Sequence, residues 1–379
     1  MSGGMELYLH MPFCVRKCAY CDFLSFPSGA ETQRMYAKRL MKDIDVMGKR
    51  YGEIPVETIF IGGGTPSVPD SALIVEIMEH VRHAFHVADG AEISMEANPG
   101  TVTREKLTDY RKAGINRLSF GLQSANDREL KLLGRIHTWA EFLESFTLAR
   151  ECGFANLNID LMSALPGQTC ESWKETLSRV TDLDPEHISA YSLIIEEGTP
   201  FGERYGSEEG RKLLPDEDSE REMYHETKRF LKDCGYERYE ISNYAKPGRE
   251  CRHNIGYWTG VPYLGLGLGA SSYLDGCRFT VNPDMKQYLE EKPGMFADIE
   301  KLTKKDMEEE FFYVGLRMTA GVSLSEFERR FGISAKEVYP GLMETFVKEK
   351  AARFEGDRFV LTDYGLDVSN YIMALFLQD

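Results

Sequence analysis

The sequence predicts an α/β fold in which a partial (β/α)6 barrel is followed by a small C-terminal helical, winged-helix-like domain. Short β-rich runs separated by helical patterns begin near residues 6, 56, 92, 117, 157 and 187. Six strand–helix units in succession indicate a parallel sheet, and six strands are too few to close a complete eight-stranded barrel. After residue 300 the pattern changes to helices and a hairpin around Gly356, which predicts the appended domain.

Helices of the first half are indicated by apolar residues on one helical face, namely Tyr36, Leu40, Ile44 and Met47 in the first and Leu73, Ile77, Val81 and Phe85 in the second. From about Pro200 a charged segment leads into a further helix, and the strand-like run YERYEISNYA follows it at 236–245. We therefore expect three parts, which are the barrel at 1–205, a barrel extension at 206–299 and the C-terminal domain at 300–379.

The charge balance limits the classes of partner. The chain carries a net charge of −16, and residues 300–379 contain eleven Lys and Arg against fifteen Asp and Glu. A phosphate-binding surface needs the opposite balance, so we expect no nucleic-acid partner. The chain shows no basic region followed by an apolar run, which is the pattern of a signal peptide. It also shows no uninterrupted apolar run of about 18 residues, which a membrane-spanning helix needs. These features predict a cytoplasmic protein without a transmembrane segment and leave peripheral membrane contact open.

Three cysteines on one short loop are the most informative feature of the chain. Cys14, Cys18 and Cys21 have the spacing C-x3-C-x2-C, and the other five cysteines are scattered singly. A structural zinc site requires four protein ligands, whereas a four-iron cluster held by three thiolates keeps one iron open for another ligand. The motif therefore favours an iron–sulfur cluster over zinc, and such a cluster fits a reducing compartment.

Polar residues and glycines follow the predicted strands at their carboxyl ends. The cysteine loop follows the first strand and the run IGGGTPS follows the second; the next three strands carry Glu96, Gln123 and Asp160. Parallel barrels place their ligand sites at this end, and the glycines at 62–64 allow a backbone to approach a ligand closely. The sequence therefore predicts one binding site at this rim, with rim salt bridges as the structural alternative for the polar residues.

Tyr20 precedes the third cysteine, so the loop reads C-x3-C-x-aromatic-C and resembles the radical S-adenosylmethionine (radical SAM) family. The resemblance implies a [4Fe–4S] cluster ligated by Cys14, Cys18 and Cys21, with SAM bound to the open iron. In such proteins the cofactors carry the radical chemistry, while the protein positions and shields them. The family also has the partial (β/α)6 barrel that the strand pattern predicts.

Further motifs narrow the resemblance. YLHMPFC, GGGTPS, MEANP, SFGLQS, GRIH and NIDLMSALPGQT, within residues 8–169, together resemble the oxygen-independent coproporphyrinogen III oxidase group. This resemblance implies SAM contacts at Tyr8, Tyr20, Gly63, Gly64, Thr65, Glu96, Gln123, Arg135 and Asp160. For Arg135 the structural alternative is an exposed arginine at a helix end.

Two departures separate the chain from the oxidases of that group. The oxidases carry a fourth cysteine two residues after the third, where this chain has Phe23, and they begin with a longer N-terminal extension. Both features are similar to those of the haem chaperone branch, which shares the scaffold and binds haem for delivery. The resemblance therefore implies haem as a ligand and haem-acceptor proteins as partners.

The run H-N-x-x-Y-W also resembles the haem chaperone branch. It places His253, Tyr257 and Trp258 together, with Cys251 two residues before the histidine. A neutral imidazole can ligate haem iron, and aromatic rings can cover a porphyrin face. The resemblance therefore implies haem contacts at these three residues, with Cys251 as a second candidate ligand. The structural alternative is a hydrogen-bonded histidine beside a packed Tyr–Trp pair.

The sequence thus predicts a radical SAM haem chaperone that binds a [4Fe–4S] cluster, SAM and haem and passes haem to acceptor proteins. An electron donor is a further expected partner. The alternative is an oxygen-independent coproporphyrinogen III oxidase, a radical SAM decarboxylase of porphyrin biosynthesis, which the missing fourth cysteine disfavours. A radical SAM enzyme for an unrelated substrate is the third interpretation, because the fold alone does not fix the reaction.

Overall fold

A parallel sheet in sequential strand order lies at the centre of the computed structural model, which describes residues 3–377. Its strands are β1 Met5–Met11, β2 Val56–Gly63, β3 Val87–Ala97, β4 Arg117–Gln123, β5 Leu157–Ser163 and β6 His187–Ser192. Each strand pairs in parallel with the next along the chain. Parallel neighbours require a crossover connection, usually helical, and this strand–helix alternation confirms the predicted α/β class.

The crossover helices are α1 Ala30–Tyr51, α2 Ser71–Ala84, α3 Arg104–Lys112, α4 Asp127–Leu132, α5 Trp139–Glu151 and α6 Cys170–Thr181. The predicted apolar face of α1 is buried throughout, at Tyr36, Leu40, Ile44 and Met47. The prediction for the second helix is wrong at its end, since the buried Phe85 lies one residue beyond α2. Its backbone is extended there, and its N–H still bonds to the carbonyl of Val81.

Both edges of the parallel sheet are extended by later elements. After the helices α7 Pro200–Tyr205, α8 Glu208–Arg211 and α9 Glu217–Asp233, the strands β7 Glu237–Arg238 and β8 Asn243–Ala245 form a hairpin that pairs antiparallel with β6. Beyond α10 Arg252–Thr259, the strand β9 Tyr263–Leu266 pairs in parallel with β1. The sheet continues antiparallel through β10 Ser271–Leu274, β11 Cys277–Thr280 and β12 Ala297–Lys301, with α11 Met285–Glu290 between the last two.

The strand-like run at 236–245 is two short strands rather than one. The buried carboxylate of Glu240 accepts hydrogen bonds from the backbone N–H of Ser242 and the side-chain amide of Asn243, both at 2.7 Å. These bonds close a turn between β7 and β8. The sequence pattern indicates that the run favours β structure. It does not show that the side chain of Glu240 bonds to the backbone and interrupts the strand.

Alternate residues of the six parallel strands point to different faces of the sheet. One face contributes apolar side chains to the main hydrophobic core, including Leu7, Ile59, Ile93, Leu118, Ile159 and Ile188. The opposite face carries buried polar side chains near the amino ends of the strands, which are Glu6, Thr58, Glu92, Arg117, Asn158 and His187. Parallel strands that are covered on both faces usually consist of continuous apolar runs. The second face departs from this rule, and we call it the polar face.

The C-terminal unit has a hydrophobic cluster of its own, built around Phe312, Phe327, Met343, Phe359 and Phe376. Its elements are α12 Lys304–Tyr313, a 3-10 turn Gly315–Arg317, β13 Val322–Ser323, α13 Leu324–Phe331, α14 Ala335–Val338, α15 Leu342–Lys348, β14 Ala352–Glu355, β15 Arg358–Leu361, α16 Asp363–Asp367 and α17 Ser369–Ala374. The strands β14 and β15 form the predicted hairpin around Gly356, whose φ of 57° suits glycine. Helices and a hairpin confirm the winged-helix-like expectation.

The C-terminal unit contacts the rest of the chain through α10 and the β7–β8 turn. The guanidinium of Arg317 lies 4.3 Å from the ring centroid of Trp258 and 3.4 Å from the carboxylate of Glu240. None of the helices within residues 3–377 combines the length and the apolar composition that crossing a bilayer requires. The domain boundaries at 1–205, 206–299 and 300–379 stay a prediction, and residues 1, 2, 378 and 379 lie outside the described part.

Candidate cofactor site at the carboxyl ends of the strands

The three clustered cysteines lie on the loop between β1 and α1. Backbone hydrogen bonds hold the loop, from the Cys14 N–H to the carbonyl of Phe26 at 3.1 Å and from the Ala19 N–H to the carbonyl of Leu133 at 3.0 Å. All three thiols are free and their residues are half-buried. The loop therefore presents Cys14, Cys18 and Cys21 at the rim where the barrel strands end.

The donor set consists of three thiols on one loop, which is what a cluster with an open iron requires. Within residues 3–377, no three His, Cys, Asp or Glu side chains converge on one metal position. A four-iron cluster does not need such convergence, because each thiolate binds a different iron. The guanidinium of Arg135 donates to the Cys18 sulfur at 3.4 Å, and the Thr65 hydroxyl lies 3.5 Å from the Cys14 sulfur. Both contacts hold the cysteine loop against other parts of the rim.

The glycine run after β2 allows a close approach of two backbone segments. Gly63 has a φ of 109°, and a Cβ at this position would lie 2.3 Å from the ring of His10. A Cβ on Gly64 would lie 2.8 Å from backbone atoms of Phe13, on the cysteine loop. The N–H of Gly63 donates to the carboxylate of Glu96 at 3.0 Å. Larger residues would therefore push the glycine run away from the cysteine loop.

Two carboxyl groups lie close together beneath this run. Burial, followed by the charge of Asp160, raises the pKa of Glu96 to about 8. Burial also raises the pKa of Asp160, against the lowering effect of hydrogen bonds from Asn158 and Ser119. The charge of Arg117 lowers both pKa values but does not offset the burial of the two carboxyl groups. The pair therefore favours a cationic ligand, and SAM carries both a sulfonium and an ammonium group.

Arg135 links the cysteine loop to the strand ends. One of its terminal nitrogens donates to the side-chain carbonyl of Asn98 at 2.7 Å and to the backbone carbonyl of Gly121 at 2.5 Å. Asn98 in turn donates to the hydroxyl of Thr65 at 2.7 Å. The Nε of Arg135 is buried and has no hydrogen-bond partner within the described residues, so a ligand with an acceptor group would satisfy it.

The other predicted SAM contacts include Gln123, Tyr8 and Tyr20. Gln123 adopts a left-handed backbone conformation at φ 74° and accepts a hydrogen bond from the Tyr191 hydroxyl at 3.1 Å. Tyr8 is hydrogen-bonded through its hydroxyl to the Nδ1 of His10 at 3.0 Å. Tyr20 packs near Phe201. Seven of the nine predicted positions therefore lie on the loops and strand ends of the rim, whereas Tyr8 and Asp160 lie in the middle of β1 and β5.

The H-N-x-x-Y-W residues lie elsewhere, on α10. His253 is 1% exposed, and its Nδ1 lies 2.7 Å from the Thr58 hydroxyl while its Nε2 lies 3.0 Å from the Tyr257 hydroxyl. Thr58 is near the amino end of β2, whereas the cysteine loop lies at the carboxyl ends of the strands. Burial, with a further contribution from Arg117, lowers the pKa of His253 to about 3. Its imidazole is therefore neutral, and both nitrogens are engaged.

The other members of that motif also pack within the protein. Trp258 lies under the Arg317 guanidinium, and Cys251 is fully buried with its sulfur 3.4 Å from the Glu92 carboxylate. Burial raises the pKa of the Cys251 thiol to about 12. The structure thus does not bring His253, Tyr257 and Trp258 to the cysteine rim, and their haem contacts stay a prediction.

Three residues of the rim were not singled out by sequence reasoning. His10 lies between Tyr8 and the backbone carbonyl of Leu24, Asn98 joins Thr65 to Arg135, and His137 borders a cavity together with Cys18. A period-2 reading of β1 could have placed His10 on the face of Tyr8. Asn98 and His137 lie in loops, where no periodicity predicts which way a side chain points.

Comparisons with known proteins identify the family of the chain. The radical SAM superfamily model matches residues 8–180, and the HemN C-terminal domain model matches 302–368. The chain is 35% identical to heme chaperone HemW of Bacillus subtilis, covering 98% of each chain, and 35% identical to that of Escherichia coli, covering 99% of this chain and 98% of the relative. It is 31% identical to a mitochondrial radical SAM domain-containing protein 1 of Danio rerio, covering 96% and 83%.

Among solved structures, coproporphyrinogen III oxidase HemN of Escherichia coli aligns with a TM-score of 0.86, covering 100% of this chain and 91% of the other at 23% identity. At that identity the likeness shows the fold alone. The relatives named HemW match at a higher identity over nearly their whole length. The chain therefore belongs to the HemW family of the radical SAM superfamily.

Proposed function

We propose that the protein binds haem and passes it to acceptor proteins, working in the cytoplasm with an electron donor for its cluster. The observation that carries this proposal is the match to relatives named heme chaperone over 98% of this chain and of the relative. A match of that extent includes the barrel, the extension and the C-terminal unit alike. Family membership implies the cluster and SAM. Haem binding and haem transfer are what the proposal adds.

Cys14, Cys18 and Cys21 would hold a [4Fe–4S] cluster, and the glycine run with Glu96 and Arg135 would hold SAM. When bound, the cluster with its open iron supplies a single electron to SAM. The residues of the protein hold the groups of the site in position. The Glu96 carboxylate fixes the Gly63 N–H, and the Arg135 guanidinium fixes the Cys18 loop against the end of β4. The Arg135 guanidinium places a positive charge at the rim before any ligand arrives.

Phe23 supports haem delivery over coproporphyrinogen oxidation. It stands where the oxidases of the group have their fourth cysteine, and its side chain is 69% exposed. A phenyl ring can neither donate a proton nor ligate a metal. An exposed aromatic ring beside a cofactor loop instead offers apolar contact area to a flat ligand.

The test uses full-length protein whose cluster has been reconstituted without oxygen. Titration with haemin should give one haem per chain by Soret absorbance, and a haem-free acceptor protein added in excess should withdraw it. Incubation with SAM, reductant and coproporphyrinogen III should form no protoporphyrinogen. Catalytic formation of protoporphyrinogen, or the absence of stoichiometric haem binding, would overturn the proposal and favour an oxidase or an enzyme for another substrate.

A further inference from the structure

Asn158 lies between Asp160, a predicted SAM contact, and the buried His187. Its side-chain amide donates to the carboxylate of Asp160 at 2.7 Å and to the hydroxyl of Ser119 at 2.6 Å. Its side-chain carbonyl lies 2.6 Å from Nδ1 of His187 and accepts a hydrogen bond from the Ser189 hydroxyl at 3.3 Å. Asn158 is 1% exposed, and its amide and its carbonyl both have partners within the protein.

The hydroxyl of Tyr239 determines which nitrogen of His187 carries the hydrogen. Its oxygen accepts from the backbone N–H of Cys251 at 3.3 Å, so its own hydrogen is directed to Nε2 of His187 at 2.8 Å. Burial, with a further contribution from Arg117, lowers the pKa of His187 well below its usual value, so the ring is neutral. Because Nε2 accepts from Tyr239, Nδ1 carries the hydrogen and donates to the carbonyl of Asn158.

These bonds form a buried network, consisting of Tyr239, His187, Asn158 and Ser119, in which the donors point towards Asp160. Asn158 bonds to one oxygen of the Asp160 carboxylate, and the Ser119 hydroxyl donates to the other at 3.1 Å. An ionised carboxylate only accepts hydrogen bonds, so the network suits the charged form of Asp160. Burial raises the pKa of Asp160, and the bonds from Asn158 and Ser119 act against that increase.

His187 controls Asp160 through the orientation of the Asn158 amide. If the amide were rotated by 180°, its N–H groups would face the Nδ1–H of His187 and its oxygen would face the Asp160 carboxylate. Both contacts would then be repulsive, and the donor to Asp160 would be lost. Hydrogen bonds to a charged group are stronger than those between neutral groups, so this orientation matters most where Asp160 is ionised.

We propose that His187 and Asn158 are positioning residues that hold the Asp160 carboxylate for SAM binding. The inference rests on the proposed SAM site and adds two residues that act through Asp160. His187 is the first residue of β6 and Asn158 the second of β5, so both lie towards the amino ends of the strands. The alternative is a network that stabilises the barrel without an effect on SAM.

Calorimetric titration of SAM into the reconstituted full-length protein measures the effect of variants of similar size. Asn158→Asp keeps the acceptor for His187 but loses the N–H that bonds to Asp160. Because that bond is made to a charged group, SAM should bind about tenfold more weakly, or worse. A wild-type affinity in Asn158→Asp would overturn the inference.

Two replacements of His187 separate its two nitrogens. Asparagine can place its amide N–H near the position of Nδ1, whereas the longer glutamine places it near that of Nε2. His187→Asn should therefore keep the donor to Asn158 and bind SAM within about twofold of the wild type, whereas His187→Gln should bind about fivefold or more weakly. Equal affinities of the two variants, both folded by circular dichroism, would overturn the inference.

Tyr236→Phe is the matched control for a general loss of stability. Tyr236 is 2% exposed and donates to the backbone carbonyl of Pro185 at 2.7 Å, outside the buried network. Its replacement should lower the urea midpoint of unfolding and leave the affinity for SAM unchanged. Weaker SAM binding in this variant would mean that stability alone accounts for the losses and would overturn the inference.

A double-mutant cycle tests whether the effect of His187 passes through Asp160. Asp160→Asn should weaken SAM binding, and adding His187→Gln should cause no further loss, because no carboxylate is left to hold. If His187→Gln does not fold, Asn158→Leu replaces it in the cycle, since it also removes the donor to Asp160. Additive losses would overturn this inference alone. A wild type that binds no SAM, or an Asp160→Asn variant with wild-type affinity, would overturn the proposed SAM contact as well.

Discussion

The Nδ1 of His253 and the hydroxyl of Thr58 lie 2.7 Å apart, joining α10 to the polar face of the sheet. This contact occurs near the amino end of β2, while the cysteine loop faces the carboxyl ends of the strands. The helix that carries H-N-x-x-Y-W therefore covers one end of the partial barrel, and the candidate cofactor site occupies the other. The two most distinctive motifs of the chain lie at opposite ends of the barrel strands.

His253→Ala should lower the free energy of unfolding by about 2–4 kcal/mol. The change removes two buried hydrogen bonds and leaves a cavity beside Phe60. Urea unfolding followed by circular dichroism measures the effect. Tyr257→Phe removes only one of these bonds and should cost about 1 kcal/mol. Equal stability of His253→Ala and the wild type would contradict a structural role for the imidazole.

Gly256→Ala should destabilise α10 more than an ordinary helix substitution. A Cβ on Gly256 would lie 1.9 Å from the carboxylate of Glu6, which is itself buried. The helix would have to move away from β1, at a cost of about 1–3 kcal/mol. Thermal unfolding is the measurement. Gly29→Ala is the control, because its backbone φ is −80° and no heavy atom of residues 3–377 lies within 4 Å of the added Cβ.

Glu6→Gln should change the dependence of stability on pH. Burial, then the charge of Glu92, raises the pKa of Glu6 from 4.5 to about 9, against the lowering effects of Thr58 and Arg252. The folded state therefore holds a proton that the unfolded state releases above pH 4.5. This contribution to wild-type stability is complete below that pH and is lost as the pH rises towards 9.

Relative to the wild type, Glu6→Gln should gain stability from pH 5 to 8 by up to about 1.4 kcal/mol per pH unit. Urea unfolding at several pH values checks the slope. Glu53→Gln, at an exposed position, should show no such gain. A constant difference between Glu6→Gln and the wild type over this range would mean that the Glu6 carboxyl is already ionised in the folded protein.

Replacing Cys14, Cys18 and Cys21 with Ala should abolish the visible absorbance of the reconstituted cluster. The reason is that no other thiol follows on the loop, where Phe23 takes the place of a fourth cysteine. Iron and sulfide analysis after anaerobic reconstitution provides the measurement. Cys170→Ala, at the start of α6, should retain four irons per chain as the wild type does. Stoichiometric iron and sulfide in the triple variant would refute the assignment of the ligands.

Arg135→Lys should weaken SAM binding by about 1.5–3 kcal/mol while preserving the positive charge. A lysine ammonium cannot reach Cys18, Asn98 and the Gly121 carbonyl together, as the arginine fork does. Calorimetric titration of SAM into the reconstituted protein gives the affinity. Arg34→Lys, exposed on α1, should bind SAM like the wild type. If Arg135→Lys bound SAM as tightly as the wild type, SAM binding would not depend on the geometry of the guanidinium.

Much of the fold was readable from the sequence, because local patterns specify local structure. Strands β1 to β6 appear where the β-rich runs predict them, and Glu96 and Gln123 do lie at the ends of β3 and β4. The apolar repeat of α1 is buried as predicted. The spacing of Cys14, Cys18 and Cys21 needs no tertiary structure, since all three belong to one loop. Cofactor class and fold class therefore follow from the chain alone.

The sequence by itself determined the succession of strands and helices, the thiolate loop and part of the set of rim residues, because each depends on neighbours along the chain. Tertiary structure decided which histidine has both ring nitrogens in hydrogen bonds and which has a ring nitrogen without a partner among the described residues. His253 belongs to the more conspicuous motif, yet its partners Thr58 and Tyr257 satisfy both nitrogens. His137 has no partner for Nε2 among the residues that the structure describes. Thr58 is 195 residues from His253 in the chain, and only folding brings such distant residues together.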